Sequence, residues 1–146
     1  MKKIIMALSI VAAGITSVYA NEDVKINSKV LSAFDKDFTS AKNAKWIQEG
    51  EFLKVSFTIA DMLTDAYYSE DGELLGSARN LLFEQLPLAV IREFNKRFDA
   101  ASVINVLEIT NEDGTSYRVF LEKNNKKIKI KANPSGEITV LSKSKK

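Results

Sequence analysis

Two stretches of the chain repeat each other, VLSAFDKDFTSA at residues 30–41 and VIREFNKRFDAA at residues 90–101. At this offset of 60 residues the valine, both phenylalanines, one lysine and the final alanine are identical. In each stretch apolar residues fall at positions i, i+1, i+4 and i+8, which is the spacing of one helix face. The sequence therefore predicts two equivalent amphipathic helices whose apolar faces are buried.

The repeat continues after the helices at an offset of 64 residues. LKVSF at residues 53–57 lies over YRVFL at residues 117–121, and GEL at 72–74 lies over GEI at 136–138. We therefore divide the chain into two units, over about 24–82 and about 83–143.

Each unit is predicted to continue with four strands. They are expected at 43–49, 51–60, 63–69 and 73–79, and at 102–110, 115–123, 126–132 and 137–142. Short turns rich in Gly, Asn and Asp separate them, and such turns join antiparallel neighbours. The predicted fold class is α+β, a tandem repeat of a helix plus a four-stranded antiparallel meander, with the helices on one face of the sheet. Periodicity leaves open whether the two meanders form one sheet.

The first twenty residues have the pattern of a secretory signal peptide. Lys2 and Lys3 are followed by an apolar run from Ile4 to about Ile15, and Val18-Tyr19-Ala20 suits a cleavage site. The run is shorter than the roughly 20 apolar residues that span a bilayer. We predict a signal peptide at 1–20, one domain at 21–146, a periplasmic or secreted location and no stable membrane insertion after cleavage. An uncleaved membrane anchor is the alternative.

The predicted mature chain is electrically neutral. The sequence has 21 basic and 19 acidic residues, and without Lys2 and Lys3 the basic count also becomes 19. A neutral domain attracts nucleic acid weakly, so no nucleic acid partner is predicted. The basic tail at 143–146 is expected to be a solvated, disordered end.

The chain contains no cysteine and no histidine. Disulfides, thiol nucleophiles, the common catalytic triads and the usual zinc sites are therefore excluded. No glycine-rich phosphate loop is present, and no serine or carboxylate lies in a recognisable motif. An enzyme with a Ser–Lys pair or paired carboxylates stays formally open. We predict a protein that is not an enzyme, with no cofactor and no metal.

Strand alternation predicts which side chains lie on the sheet face that the helices leave uncovered. This helix-free face combines aromatic and charged residues, a mixture that suits a protein partner. Its predicted partner-binding residues are Phe52, Lys54, Tyr67, Arg118 and Phe120. The alternative is that these are isolated exposed residues, which are normal. Trp46, the single tryptophan, is predicted to lie in the core.

Three short features carry a resemblance to a known family. They are Trp46 in the first strand, the run Ala66-Tyr67-Tyr68 followed by Asp71-Gly72-Glu73, and Leu86-Pro87 before the second helix. With the residues around them they cover nearly the whole mature chain. This pattern resembles the PepSY-like family of β-lactamase-inhibitor-like secreted proteins common in Bacteroidetes.

The resemblance implies the architecture of β-lactamase inhibitor proteins and a periplasmic or extracellular location. In those inhibitors the concave sheet and its loops grip an enzyme, and PepSY domains are associated with restraint of peptidases. The expected partner is therefore an envelope or secreted protein, either an enzyme or a peptidase. One departure is that those inhibitors are disulfide-bonded, whereas this chain has no cysteine. No inhibitory residue is carried over from the family.

Two functions follow as hypotheses. The first is an exported, non-enzymatic binding or inhibitory module that acts on an envelope protein through the helix-free face. The alternative is a periplasmic carrier or sensor of a small ligand, which needs an apolar cavity with a few convergent polar groups.

Overall fold

The computed structural model describes residues 25–145, and the predicted signal peptide at 1–20 lies outside the described residues. The helices are α1 (Ser28–Asp37) and α2 (Leu88–Arg97), and a short 3-10 turn at Phe83–Gln85 precedes α2. The strands of the first half are β1 (Lys42–Glu49), β2 (Phe52–Ile59), β3 (Met62–Tyr68) and β4 (Leu74–Leu81). The strands of the second half are β5 (Ser102–Asn111), β6 (Gly114–Lys123), β7 (Lys126–Ala132) and β8 (Ile138–Lys145).

The eight strands form one antiparallel sheet in which sequence neighbours are also spatial neighbours, from β1 to β8. The two halves are joined where β4 pairs with β5, from Gly76 opposite Asn111 to Leu81 opposite Val106. The question that periodicity left open is thereby answered, since one continuous sheet spans both halves.

The C-terminal strand is longer than the sequence indicates. β8 extends to Lys145, with Lys143 opposite Ile128 and Lys145 opposite Lys126. The expectation of a disordered tail is therefore wrong for residues 143–145, because pairing with β7 satisfies their backbone groups.

Both helices are amphipathic and bury equivalent positions. In α1 these are Val30 and Phe34, and in α2 they are Val90 and Phe94. α1 begins after Asn27, whose side-chain oxygen accepts a hydrogen bond from the backbone N–H of Lys29 at 3.0 Å.

The buried residues form two clusters, one in each half of the chain. The first contains the buried residues of α1 and the β2 and β3 residues Leu53, Val55, Phe57, Ala66 and Tyr68. Phe34 is its centre, with the Phe57 ring 5.1 Å away and the Trp46 ring 5.4 Å away, both edge-on. Trp46 packs against this core and is partly buried.

The second cluster joins α2 to the four strands that follow it. Its members are Leu86, Val90, Phe94, Phe98, Val106, Tyr117, Val119, Leu121, Ile128, Ile130, Ala132 and Ile138.

One polar contact ties each helix to the sheet. The Tyr68 hydroxyl donates to an Asp37 carboxylate oxygen at 3.0 Å, at the end of α1. The Arg97 guanidinium donates to the backbone carbonyl of Ile138 at 2.6 Å, at the end of α2. These contacts position each helix end relative to its strands.

Two glycine turns pack directly on the beginnings of the helices. A Cβ on Gly72 would lie 3.0 Å from the Lys29 carbonyl oxygen, and one on Gly136 only 2.7 Å from the Ala89 carbonyl oxygen. Both glycines also have positive φ, at +87° and +94°. Glycine is required at Gly136 both for the backbone conformation and for the close approach to the helix.

We expect Gly136→Ala to destabilise the domain more than Gly114→Ala. Gly114 also has a positive φ, of +104°, but a Cβ there would meet nothing within 4 Å, so it isolates the backbone strain. The additional clash at Gly136 should lower the free energy of unfolding by a further 1–3 kcal/mol, roughly the range for overpacking. Urea denaturation of both variants measures the difference. Equal losses would show that the turn can move away from α2.

Candidate functional site

The pairing register divides the side chains of the sheet between two faces. In β2 the core residues Leu53, Val55 and Phe57 lie on one face, and Phe52 and Lys54 therefore lie on the other. The second face, which we call the open face, continues across the sheet strand by strand. On β2, β3, β5, β6 and β7 its residues include Phe52, Lys54, Ser56, Leu63, Asp65, Tyr67, Asn105, Leu107, Ile109, Ser116, Arg118, Phe120, Glu122, Lys127, Lys129 and Lys131.

The sequence-predicted residues all lie on the open face, in two separate groups. Phe52, Lys54 and Tyr67 form the first group, in which Lys54 and Tyr67 are directly opposed across β2 and β3. Arg118 and Phe120 form the second group, on β6.

The two groups occupy opposite corners of the open face. From β2 to β6 there are four strand spacings, and Phe120 is displaced along the strands by about eight residues relative to Phe52. At about 4.8 Å per strand and 3.3 Å per residue, Phe52 and Phe120 are roughly 30 Å apart. Since this is about the width of a standard protein interface, one partner must cover most of the face to touch both.

The first group is neutral because its charges are paired. Lys54 Nζ lies 3.0 Å from Asp65 Oδ2, and the Ser56 hydroxyl donates to Asp65 Oδ1 at 2.6 Å. Lys54 Nζ also lies 5.9 Å from the centre of the Tyr67 ring. Burial lowers the pKa of Lys54, but the hydrogen bond and charge of Asp65 outweigh it and raise the pKa overall.

The second group is cationic. Arg118 is paired in register with Lys131, and Phe120 is paired with Lys129, whose Nζ lies 5.3 Å from the Phe120 ring centre. Within residues 25–145, Arg118 Nη1 is buried and has no hydrogen-bond partner. Burial lowers the pKa of Arg118, since desolvation disfavours the charged guanidinium.

Two buried apolar residues of β5, Leu107 and Ile109, lie on the open face between the two groups. We call them the apolar floor, and the sequence analysis did not predict them. Leu107 is 8% exposed and Ile109 only 4% exposed, although both point to the open face. Small and polar neighbours flank them, with Ala78 and Ser116 on either side of Ile109. The sequence does carry one signal of this burial, the adjacent apolar residues Val106 and Leu107, both of which are buried. Successive residues of a strand lie on opposite faces, so two adjacent apolar residues indicate that both faces are covered.

An open groove of about 700 Å³ lies at the end of the sheet beside the second group. Its exposed apolar residues are Leu82, Ile104 and Leu63, which are 68%, 58% and 40% exposed. Asn105, which also lines the groove, is paired with Phe120. The groove and the cationic group are therefore contiguous.

Within the described residues, no three His, Cys, Asp or Glu side chains are grouped as a metal site. Within the same range, no helix is long and apolar enough to cross a membrane.

The tyrosines of the described residues, Tyr67, Tyr68 and Tyr117, all have a pKa above the usual value. Burial is the main cause that raises the pKa of each, and the hydrogen bond to Asp37 raises that of Tyr68 further. Because the neutral form is favoured in the folded state, this stabilisation is complete below the unfolded pKa of about 10. It is lost as the pH rises through the higher folded values.

We expect no tyrosine of the folded domain, expressed as residues 21–146, to ionise near pH 10, the usual value, which is about that of the urea-unfolded chain. Absorbance at 295 nm should rise at higher pH, together with the loss of circular dichroism. The urea-unfolded protein serves as the control. An absorbance rise near the usual value in a fully folded sample would contradict the burial of these rings.

Solved structures from Bacteroides have the same fold. A BLIP-like protein from Bacteroides fragilis superposes with a TM-score of 0.71 at 20% identity, covering 81% of this chain and 84% of that one. A candidate periplasmic protein from Bacteroides eggerthii gives 0.71 at 21% identity, with 81% and 87% covered. A DUF2874 family protein from Bacteroides uniformis gives 0.71 at 16% identity, with 81% and 88% covered.

No family model matches the sequence, and the search of curated proteins also gives no match. At these identities the structural likeness shows the fold, which is BLIP-like.

Proposed function

We propose that the protein is an exported, non-enzymatic binding or inhibitory module that acts on an envelope or secreted protein through its open face. The observation that carries the proposal is the open face itself, a broad surface with aromatic and cationic side chains around an apolar floor. Aromatic residues and arginine are the residue types most enriched at energetically important interface positions.

The likeness to known structures supports this proposal. BLIP abbreviates β-lactamase inhibitor protein, and one neighbour carries that label while another is a candidate periplasmic protein. A periplasmic or secreted location is therefore part of the proposal. The proposal also includes membership of the PepSY-like family, which rests on the sequence motifs alone.

We include in the proposal that the two halves are a tandem repeat with both helices on the core face. Two buried clusters, each centred on one helix, support this arrangement. The glycine turns at 72 and 136, which contact helix residues 29 and 89, also support it. Under this arrangement the whole open face is available to a partner.

The test compares the native protein with Phe52→Ala/Phe120→Ala in quantitative affinity capture from the native envelope fraction. We expect the captured partner to fall at least tenfold, since each truncation removes an aromatic anchor, while the melting temperature changes little. Leu31→Ala/Leu88→Ala is the matched control, because both leucines are exposed on the helices, at 40% and 60%.

Equal loss of the partner in the control pair would show that the loss is not specific to the open face and would overturn the proposal. Unfolding of Phe52→Ala/Phe120→Ala would show that these rings belong to the core.

The second candidate, a small-ligand carrier or sensor, is favoured by one observation, the groove lined by Leu63, Leu82 and Ile104. Its volume lies within the range of ligand pockets, but it is an open depression rather than an enclosed cavity. Native mass spectrometry of the protein purified from the envelope tests this candidate. A co-purifying small molecule that is lost in Leu82→Ser/Ile104→Ser would support it, and a bare protein mass would exclude it.

A further inference from the structure

Charge is distributed unevenly over the open face. On β2 and β3 it carries Lys54 and Asp65, which neutralise each other. On β6 and β7 it carries four cations against the single carboxylate of Glu122, a net charge of +3. The four cations are Arg118, Lys127, Lys129 and Lys131. A domain whose mature chain is neutral overall therefore concentrates positive charge at one corner of this face.

The arrangement of these cations is suited to an extended chain. Lys129 and Lys131 are alternate residues on one face of β7, so their Cα atoms are about 7 Å apart. Alternate residues of an extended peptide have the same spacing, so two of its carboxylates can meet the two lysines together.

Arg118 lies beside this pair on the neighbouring strand β6, and one of its hydrogen-bond donors is not satisfied within the described residues. Its Nη1 is buried and has no hydrogen-bond partner among residues 25–145. A buried donor left unpaired is costly, and a charge-assisted bond to a carboxylate is the strongest way to satisfy it. The lowered pKa of Arg118, which burial causes, points in the same direction, because a bound anion would offset the desolvation.

The apolar groove adds a second kind of contact at the same corner. Phe120 separates the lysines from Asn105 and the exposed side chains of Ile104 and Leu82. A segment that meets the cations can therefore place an adjacent apolar side chain in the groove. A free inorganic anion has no apolar group for this contact, whereas a polypeptide carries carboxylates and apolar side chains on the same chain.

We propose that this corner of the open face docks an extended acidic segment of the partner protein. Carboxylates of that segment contact Arg118, Lys129 and Lys131, and a neighbouring apolar side chain contacts Phe120 and the groove. The inference rests on the proposed function and specifies the chemistry of its partner.

The test uses the full-length chain, expressed with its own N-terminal segment and purified from the envelope. The probe is a fluorescent peptide in which three glutamates alternate with serines and two leucines follow. We expect measurable binding by fluorescence anisotropy, and affinity at least tenfold weaker for the peptide with glutamine in place of glutamate. Affinity should also fall as NaCl rises from about 0.05 M to about 0.5 M, because salt screens the ion pairs.

Lys129→Gln/Lys131→Gln should weaken peptide binding at least tenfold. Lys143→Gln/Lys145→Gln is the matched control, since it removes the same charge from β8 at positions that oppose Ile128 and Lys126 of β7 and therefore do not lie on the open face. We expect the control to change the affinity less than twofold. An equal effect of both pairs would reduce the interaction to net charge and overturn the proposal.

Other occupants are tested in the same assay with phosphatidylglycerol vesicles, a single-stranded oligonucleotide and a labelled second copy of the chain. Tighter binding of any of these that requires Lys129 and Lys131 would overturn the proposal, as would no binding of the glutamate peptide.

The envelope capture separates this inference from the function on which it rests. A partner that still depends on Phe52 and Phe120 but not on Lys129 and Lys131 would leave the binding function standing and exclude the acidic segment. A partner whose capture depends on neither the two phenylalanines nor the two lysines would exclude both the proposed function and the acidic segment.

Discussion

The pairing of β4 with β5 is the constraint on which the rest of the structure depends. Six opposed residue pairs, from Gly76 with Asn111 to Leu81 with Val106, join the two halves into one sheet. A shift of one residue in this register would move every side chain of one half to the opposite face. The register therefore decides that Phe52 and Phe120 share a face.

Side chains at the junction reinforce this register. Arg79 and Glu108 are directly opposed, and Arg79 Nε donates to Glu108 Oε1 at 2.7 Å. They lie on the core face between the two buried clusters, next to Thr64 and Tyr117. Because the pair is partly shielded from water, a register shift would leave both charges without their partners. Specific pairing at this point supports the continuous open face on the other side.

Much of the fold could be predicted because its signals are local. Helical spacing identified α1 and α2, and alternation in β2, β6 and β7 correctly assigned Val55, Val119 and Ile130 to the core. The turn residues marked the strand boundaries to within a few positions. Pairing between the halves could not be predicted, since it links residues 76–81 to residues 106–111 and leaves no periodic signal within either stretch.

The sequence predicts on which face each candidate-site residue lies, but it does not predict how these residues are arranged relative to one another. Alternation places each of the five residues on the open face, but their separation into two corners depends on the stagger accumulated over four strand pairings. The buried state of Ile109 depends on its neighbours Ala78 and Ser116, which belong to other strands. That Arg118 Nη1 has no hydrogen-bond partner within residues 25–145 is likewise a property of its surroundings, so the sequence does not reveal it.

The edges of the sheet are protected against pairing with a further strand, which favours the open face as the docking surface that we propose. β1 carries Lys42 and Lys45 around an irregularity at Asn43, whose φ is +58°. β8 ends in Lys143 and Lys145, beyond a register shift opposite residues 129 and 130. Lysines and bulges on edge strands oppose the addition of a further strand. Strand addition is therefore disfavoured, and the proposed partner would contact the side chains of the open face, whose distribution of charge and apolar surface would determine which partner is recognised.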